Sequence, residues 1–557
     1  MDNFINSCTN KFKGFKEWNF WKFISKHPEI FTIIGLSIAF YYIFFNDIGT
    51  YALMDVDETR YVAMAKDMFN TKDFMTLYLN GEYFFEKPPL YFWGECLFFG
   101  LFGKINEFTA RFPVALYGTL VSFLVYITGR RIVSRRFGVL SSLILATSLE
   151  FVILAKFAIL DIVLAMCIAF SLCFGLLTYF CSEKSKKYLW WLFYLFSGLA
   201  VMAKGIPGFV VPFGTMFFTA IAAKRFKELF RPIYWIPGSI LFLGVVIPWH
   251  ALMFKIHDPL FFNEYIIKHH IERFFTSDEI GREQPFYFFI LTFLWGFFPW
   301  IFSFVAAIIA RFKAIKIYTF ENLTNEQKFL YLNCIAFLFI MVFFSISSTK
   351  LITYLLPIYV PAAFIGGYIW NNYEKFSKAL DISSYVFGTI VLIAFVAGLC
   401  TPLYLPEQLY QDILTIKWFC VIVLLVVGVL TLTFVKRHKP YAVFGVLVGF
   451  ILFVSAFATE EFFEVDYTFG QNDLIKFAKY AKENNYQIGA VDLERKYSLL
   501  YYGNGTVDYR EEVNAPDMLN DKNKVIVIEK RDIERVMKNA KYDTLLTGRR
   551  YLLIKGK

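Results

Sequence analysis

Long apolar stretches recur about thirteen times along the chain, separated by short polar or basic connections. A helix needs about 20 apolar residues to cross the hydrocarbon core. The pattern therefore predicts an α-helical polytopic membrane protein with about 13 transmembrane helices. Their expected limits are 29–46, 109–129, 138–156, 159–181, 188–203, 205–223, 233–254, 286–310, 328–347, 351–370, 384–403, 416–435 and 441–458. Alternate loops are basic: Arg130-Arg131 with Arg135-Arg136, Lys184 to Lys187, Lys224-Arg225 with Lys227, Arg311 to Lys316, Lys375 to Lys378, and Lys436-Arg437. The N-terminal segment 1–28 is basic too, so the positive-inside rule places these loops and the N-terminus in the cytoplasm. An odd number of spans then places the C-terminus outside.

The outer side is left with two long loops, 47–108 and 255–285, and the polar region 459–557. Within the first loop the pattern predicts interfacial helices over 58–69 and 88–102, the second opened by Pro88-Pro89. Region 459–557 alternates a helix-like stretch, 472–484, with β-rich runs at 487–491, 498–502, 524–528 and 551–554. It reads as a small extracytoplasmic α/β domain with a docking or structural role. Residues 29–458 form the membrane domain that would carry chemistry.

Composition agrees. Of 557 residues, 57% are hydrophobic, 20% aromatic and only 18% charged, against roughly 25% charged in a soluble domain. The net charge of +10 resides in short loops rather than on one basic face, which argues against a nucleic-acid partner. The 8 cysteines lie mostly inside apolar runs and form no CxxC pair, so they read as core thiols. The first apolar run lacks a small-residue cleavage site and reads as a retained anchor.

Against this background the stretch Asp55-Val56-Asp57-Glu58-Thr59-Arg60-Tyr61 stands out, because ionisable groups beside a span lose hydration. Asp57 alone also suits a helix N-terminus, where a carboxylate accepts orphan N–H groups. However, other costly residues fall on the same outer face: Glu86-Lys87-Pro88-Pro89, Lys156 and Asp161, Lys204-Gly205, His269-His270 with Arg273, and Lys350 with Tyr354. Each has a simpler reading, such as a surface ion pair for Lys156 and Asp161 or a snorkelling interfacial lysine for Lys204. Their convergence is what points to one site. Arg60, Lys87, Arg273 and Lys350 suit a lipid phosphate, and Asp57 and Asp161 suit a general base or the stabilisation of a sugar cation. Glu86 with His269 or His270 offers oxygen and nitrogen ligands to a divalent metal, zinc or magnesium/manganese. No P-loop or GxGxxG motif supports a nucleotide cofactor, so a lipid-linked donor fits better than a nucleotide sugar.

These motifs, together with Lys204-Gly205-Ile206-Pro207-Gly208 and Thr349-Lys350-Leu351 through Tyr354-Leu355-Leu356-Pro357, resemble those of the bacterial aminoarabinose transferases that modify lipid A. They also resemble the wider dolichyl-phosphate-mannose-protein mannosyltransferase-like group of GT-C membrane glycosyltransferases. The resemblance covers about residues 30–360. It implies a bacterial inner-membrane enzyme that moves a sugar, with inversion, from polyprenyl phosphate to a periplasmic-side lipid, glycan or protein acceptor. It implies Asp57 as catalytic carboxylate and Asp161 as a second acid in the site. Lys87, Arg273 and Tyr354 would hold the lipid phosphate, Arg60 and Tyr61 would line the cavity, and Glu86 with a loop histidine would match a metal position. Where the family carries Glu-His before Arg-Phe, this chain has His269-His270, and Asp55 adds a carboxylate whose part is open. The rival classes are a flippase for lipid-linked sugars and an assembly protein. The one-sided placement of the charges and the lack of an internal repeat weigh against the first.

Overall fold

The computed structural model describes residues 27–272, 284–312, 320–400, 414–457, 470–493, 496–512, 516–538 and 540–557. In its described residues, every one of the thirteen expected segments is mainly helical or a broken helical pair. Among the described residues, eight helices are long and apolar enough to cross a membrane, or up to nine if a bent pair is one span. That pair, Phe288–Gly296 and Ile301–Ala310, is bent by 115°. The expected span 138–156 is likewise divided, into Arg135–Ala146 and Leu149–Leu154. Asp161–Leu177 and Ile206–Ala222 are shorter apolar helices of 17 residues each.

The turn between Glu183–Lys204 and Ile206–Ala222 shows how the sequence sets helix packing. Gly205 takes φ +76°, open to glycine, and a Cβ on Gly208 would lie 2.2 Å from the carbonyl carbon of Ala200. The two helices thus fold back on one another without a spacer, leaving Lys204 at the tip.

In the first long connection, 47–108, the structure has helices Asp57–Thr71 and Leu90–Phe102, each close to its predicted range. Between them β1 (Tyr78–Leu79) pairs antiparallel with β2 (Glu82–Tyr83) across an Asn80-Gly81 turn with positive φ at both positions.

The C-terminal domain packs Gln471–Glu483 against a five-stranded sheet of β3 (Gln487–Val491), β4 (Val507–Arg510), β5 (Lys524–Glu529), β6 (Tyr542–Thr547) and β7 (Tyr551–Gly556), in the order β4-β3-β5-β7-β6. β3 runs parallel to β4 and β5, and β7 antiparallel to β5 and β6. The expected strand at 498–502 is instead the helix Ser498–Tyr502. Its aromatic-rich sequence has the local preference of a strand, but Leu499, Tyr501 and Tyr502 are all buried at helical spacing. β4 and β6 were outside the expectation; only Val507 of β4 is fully buried and β6 has no fully buried residue, so neither carries a strong apolar signal.

Candidate functional site

The N-terminus of helix Asp57–Thr71 is fixed from beneath by a fully buried ion pair. Arg111, near the start of helix Glu107–Ile132, donates from Nε and Nη2 to the two oxygens of Glu58, each at 2.8 Å. Its remaining N–H groups reach the carbonyls of Ile48 at 3.0 Å, Tyr51 at 2.7 Å and Ala52 at 2.8 Å. Glu58 also accepts from the amides of Met54 at 2.8 Å and Ala158 at 2.7 Å. A forked guanidinium suits such multiple acceptance. One carboxylate therefore ties the segment before Asp57 to the turn before Asp161. The sequence reasoning passed over both residues: Glu58 stood among other charges, and Arg111 sat at the edge of an apolar run.

Asp57 does not cap its helix, which has no side-chain cap hydrogen bond. Instead it stays half exposed and pairs with Arg60 at 2.9 Å. The Arg60 guanidinium lies 4.8 Å from the Tyr61 ring centre and donates to its hydroxyl at 3.1 Å. Burial pushes the Tyr61 phenol well above the usual tyrosine range; Arg60 pulls it down, while Asp57, Asp161 and Glu86 push it further up. Burial opposes the charge on Arg60, but Tyr61, Asp57, Glu86 and Tyr497 outweigh it and hold the group firmly protonated. Side chains from three segments of the membrane domain and one of the C-terminal domain thus share one electrostatic environment.

The other expected residues extend this cluster. Buried Lys87 donates to the backbone carbonyl of Glu86 at 3.0 Å and lies 3.8 Å from its carboxylate. Asp161 opens helix Asp161–Leu177 and is ion-paired with Lys204, whose ammonium sits 4.0 Å from the centre of the Tyr354 ring. The partner of Asp161 is therefore Lys204 and not Lys156. Lys156 is buried and donates to the carbonyls of Asn46 at 3.2 Å and Ser455 at 2.8 Å. It acts as a fastener between the first and last apolar helices. Lys350 is also buried, and donates to the carbonyls of Gln284 at 2.9 Å and Ser347 at 2.6 Å.

His269 is half-buried on the π-helical stretch Phe262–Glu272. Arg273 and the side chain of His270 lie outside the described residues. Among the described residues no three His, Cys, Asp or Glu side chains gather, and Glu86 faces the ammonium of Lys87. With the His270 side chain outside that set, no reaction step is assigned to a metal.

Asp55, whose part the sequence left open, faces away from the chemistry. Its carboxylate accepts from the Thr59 hydroxyl, from the Ser498 amide at 2.8 Å and from the Ser498 hydroxyl at 2.7 Å. The C-terminal domain grips the same loop elsewhere. Gln471 donates to the Leu53 carbonyl and accepts from the Asp55 amide, and Tyr502 accepts from the Leu53 amide at 3.0 Å. Asn80 exchanges two hydrogen bonds with the backbone of Val507, at 2.8 and 2.9 Å. The domain is thus docked on the segment that presents Asp57.

Residues 29–262 match the model of the dolichyl-phosphate-mannose-protein mannosyltransferase family. An uncharacterised protein of Aquifex aeolicus is 30% identical over 356 residues, 64% of this chain and 67% of that one. The undecaprenyl phosphate-alpha-4-amino-4-deoxy-L-arabinose arabinosyl transferase of Erwinia tasmaniensis is 27% identical over 403 residues, 70% of each chain. A second such transferase, from Proteus mirabilis, is 25% identical over 491 residues, 86% of each. In fold, the chain is similar to the crystal structure of ArnT from Cupriavidus metallidurans bound to undecaprenyl phosphate, with a TM-score of 0.78, 18% identity, and 94% of this chain and 97% of that one covered. The chain belongs to this family of multi-pass membrane glycosyltransferases, built on the GT-C fold and related to the aminoarabinose transferases.

Proposed function

We propose that this protein transfers a sugar from a polyprenyl-phosphate donor to an acceptor at the non-cytoplasmic surface of the bacterial inner membrane. The acceptor is a lipid A-like lipid, a glycan or a protein. The observation that carries this reading is the shared environment of Asp57, Arg60, Tyr61, Glu86 and Asp161, from three separate segments, at one rim of the apolar helices. Relatives named as undecaprenyl phosphate-aminoarabinose transferases support the donor class. The basic loops and N-terminus are assigned to the cytoplasm, with the C-terminal domain on the opposite side.

The half-exposed carboxylate of Asp57 is the group open to an incoming acceptor. With a hydroxyl acceptor it removes the proton as the new glycosidic bond forms at the anomeric carbon. With a phosphate acceptor its part is mostly to orient the nucleophile. The bond to the lipid phosphate breaks on the opposite side of the ring, which gives inversion. Its departing charge needs cations in a site of low dielectric. Lys87 is a buried ammonium beside Glu86 and Lys204 brings positive charge beside Asp161, while Lys350 is a further buried ammonium held by the carbonyls of Gln284 and Ser347. Arg60 and Tyr61 line the space between, and Tyr354 is the aromatic wall under Lys204.

The test is a purified enzyme supplied with a labelled polyprenyl-phosphate sugar and candidate acceptors. Release of free polyprenyl phosphate together with a glycosylated product supports transfer. Movement of intact donor across a vesicle membrane without bond cleavage would establish the flippase reading instead.

A further inference from the structure

Helix Glu107–Ile132, 26 residues long, begins at the candidate site through Arg111 and carries Arg130-Arg131 in its last turn. Nineteen residues separate Arg111 from Arg130, about 28 Å at about 1.5 Å per residue. That is close to the roughly 30 Å thickness of a bilayer core. The far end of this helix therefore lies in the opposite headgroup layer. There an open concavity of about 800 Å³ is lined by Glu29, Arg130, Arg131, Ser134, Arg135 and Arg136, with Val139 and Leu140 as its apolar side.

The arginines of this concavity are not splayed at random. Arg130 is paired with Glu29 at 2.6 Å, and Glu29 accepts from Tyr126 at 2.6 Å. Arg136 stacks 4.4 Å above the ring of Tyr441, a half-exposed aromatic of the kind that marks headgroup depth. Ser134 caps the next helix by accepting from the Phe137 amide at 3.1 Å. Arg131 and Arg135 have no ion pair among the described residues, and four guanidiniums face a single carboxylate. Topology needs only positive charge, which lysine supplies equally well. A ring of planar forks around a cavity with an apolar side matches a phosphodiester joined to acyl chains.

We infer that this concavity is a binding site for the phosphate headgroup of an anionic membrane phospholipid in the leaflet opposite the candidate active site. A phosphodiester reaches Arg131 and Arg135 while its glycerol and acyl chains run along Val139. Basic pockets between membrane helices recognise anionic headgroups in this way. The inference is independent of the sugar-transfer reading and requires only that the helices cross a bilayer.

The experiment is native mass spectrometry of the full-length protein in detergent. It is titrated with dioleoylphosphatidylglycerol, with dioleoylphosphatidylcholine, and with phosphatidylglycerol in the presence of inorganic phosphate. The wild type is expected to retain one phosphatidylglycerol under conditions that strip phosphatidylcholine. Arg131→Gln/Arg135→Gln is expected to weaken that binding by about tenfold or more. Lys184→Gln/Lys187→Gln, on another basic loop, is expected to leave it unchanged and controls for diffuse charge. Equal retention by the arginine variant, equal loss in the lysine control, or equal retention of phosphatidylcholine would overturn the site. Displacement of the lipid by millimolar inorganic phosphate would overturn its assignment to a lipid in favour of a soluble phosphate.

Discussion

Replacing Arg111 by alanine removes five hydrogen bonds and leaves Glu58 charged, buried and without its counter-ion. Breaking one side of a fully buried pair costs about 3–5 kcal/mol. A solvent-exposed surface pair is worth about 1 kcal/mol or less. The larger figure applies because neither Arg111 nor Glu58 has water to turn to, and the carbonyls of residues 48, 51 and 52 lose their donor together. The same change frees both the segment before Asp57 and the turn through Ala158 toward Asp161, so catalysis should fall along with stability. A displacement of about 1 Å in a reacting group can cost about a hundredfold in rate. The assay is paired: thermal unfolding of purified protein, and steady-state release of free polyprenyl phosphate. Arg111→Ala is expected to melt several degrees lower with a depressed kcat. Arg111→Lys keeps the charge but not the fork and should fall between. An alanine variant with wild-type melting and wild-type kcat would refute the claim that this pair frames the site.

Asp57→Asn should accumulate normally in the membrane yet lose roughly 10²–10⁴-fold in transfer to a hydroxyl acceptor; near-normal product formation with purified donor would dismiss Asp57 as the base. Lys87→Ala should raise the donor KM, a lost charge-assisted contact being worth about 1.5–3 kcal/mol, and an unchanged donor titration argues against a phosphate role. Asp55→Ala combined with Gln471→Ala should undock the C-terminal domain, seen as its faster release by a protease, and an unaltered digestion course would show that other contacts suffice. Burial raises the Asp55 carboxyl above its ordinary value of 3.8, against the opposing bonds from Thr59 and Ser498. An acid raised on folding contributes stability that is present below its unfolded pKa and lost as pH rises through the folded one. Docking should therefore loosen as pH climbs past that point, and Asp55→Asn should flatten the dependence; matching pH profiles for the two proteins would contradict this.

What the sequence made legible is what local pattern encodes. Apolar length located the helices, and among the chemically costly residues the structure links Asp57, Arg60, Tyr61, Glu86 and Asp161, and Asp161 in turn with Lys204 and Tyr354. What it hid are pairings over distance. Nothing near Arg111 names Glu58 as its partner, and the ion pair of Asp161 is with Lys204, 43 residues onward, although Lys156 stands much nearer in the chain. The strand expected at 498–502 failed for a related reason. Its aromatic residues favour a strand in isolation, while the surface they cover, including Leu53 and Glu107, decides for a helix. Asp55 looked like a competitor for Asp57 because both are carboxylates in one motif; only the position of Ser498 shows that Asp55 is held by the C-terminal domain.

The docking of Asp55 on Ser498 joins residues 443 positions apart. During synthesis at about 5–20 residues per second, the two are made roughly 20–90 seconds apart. For that interval the carboxylates of the first outer loop emerge without the clasp that orients them. If those groups react as proposed, a nascent or truncated polypeptide would carry them unassembled and would spend no lipid-linked sugar on water before the last part of the molecule has arrived.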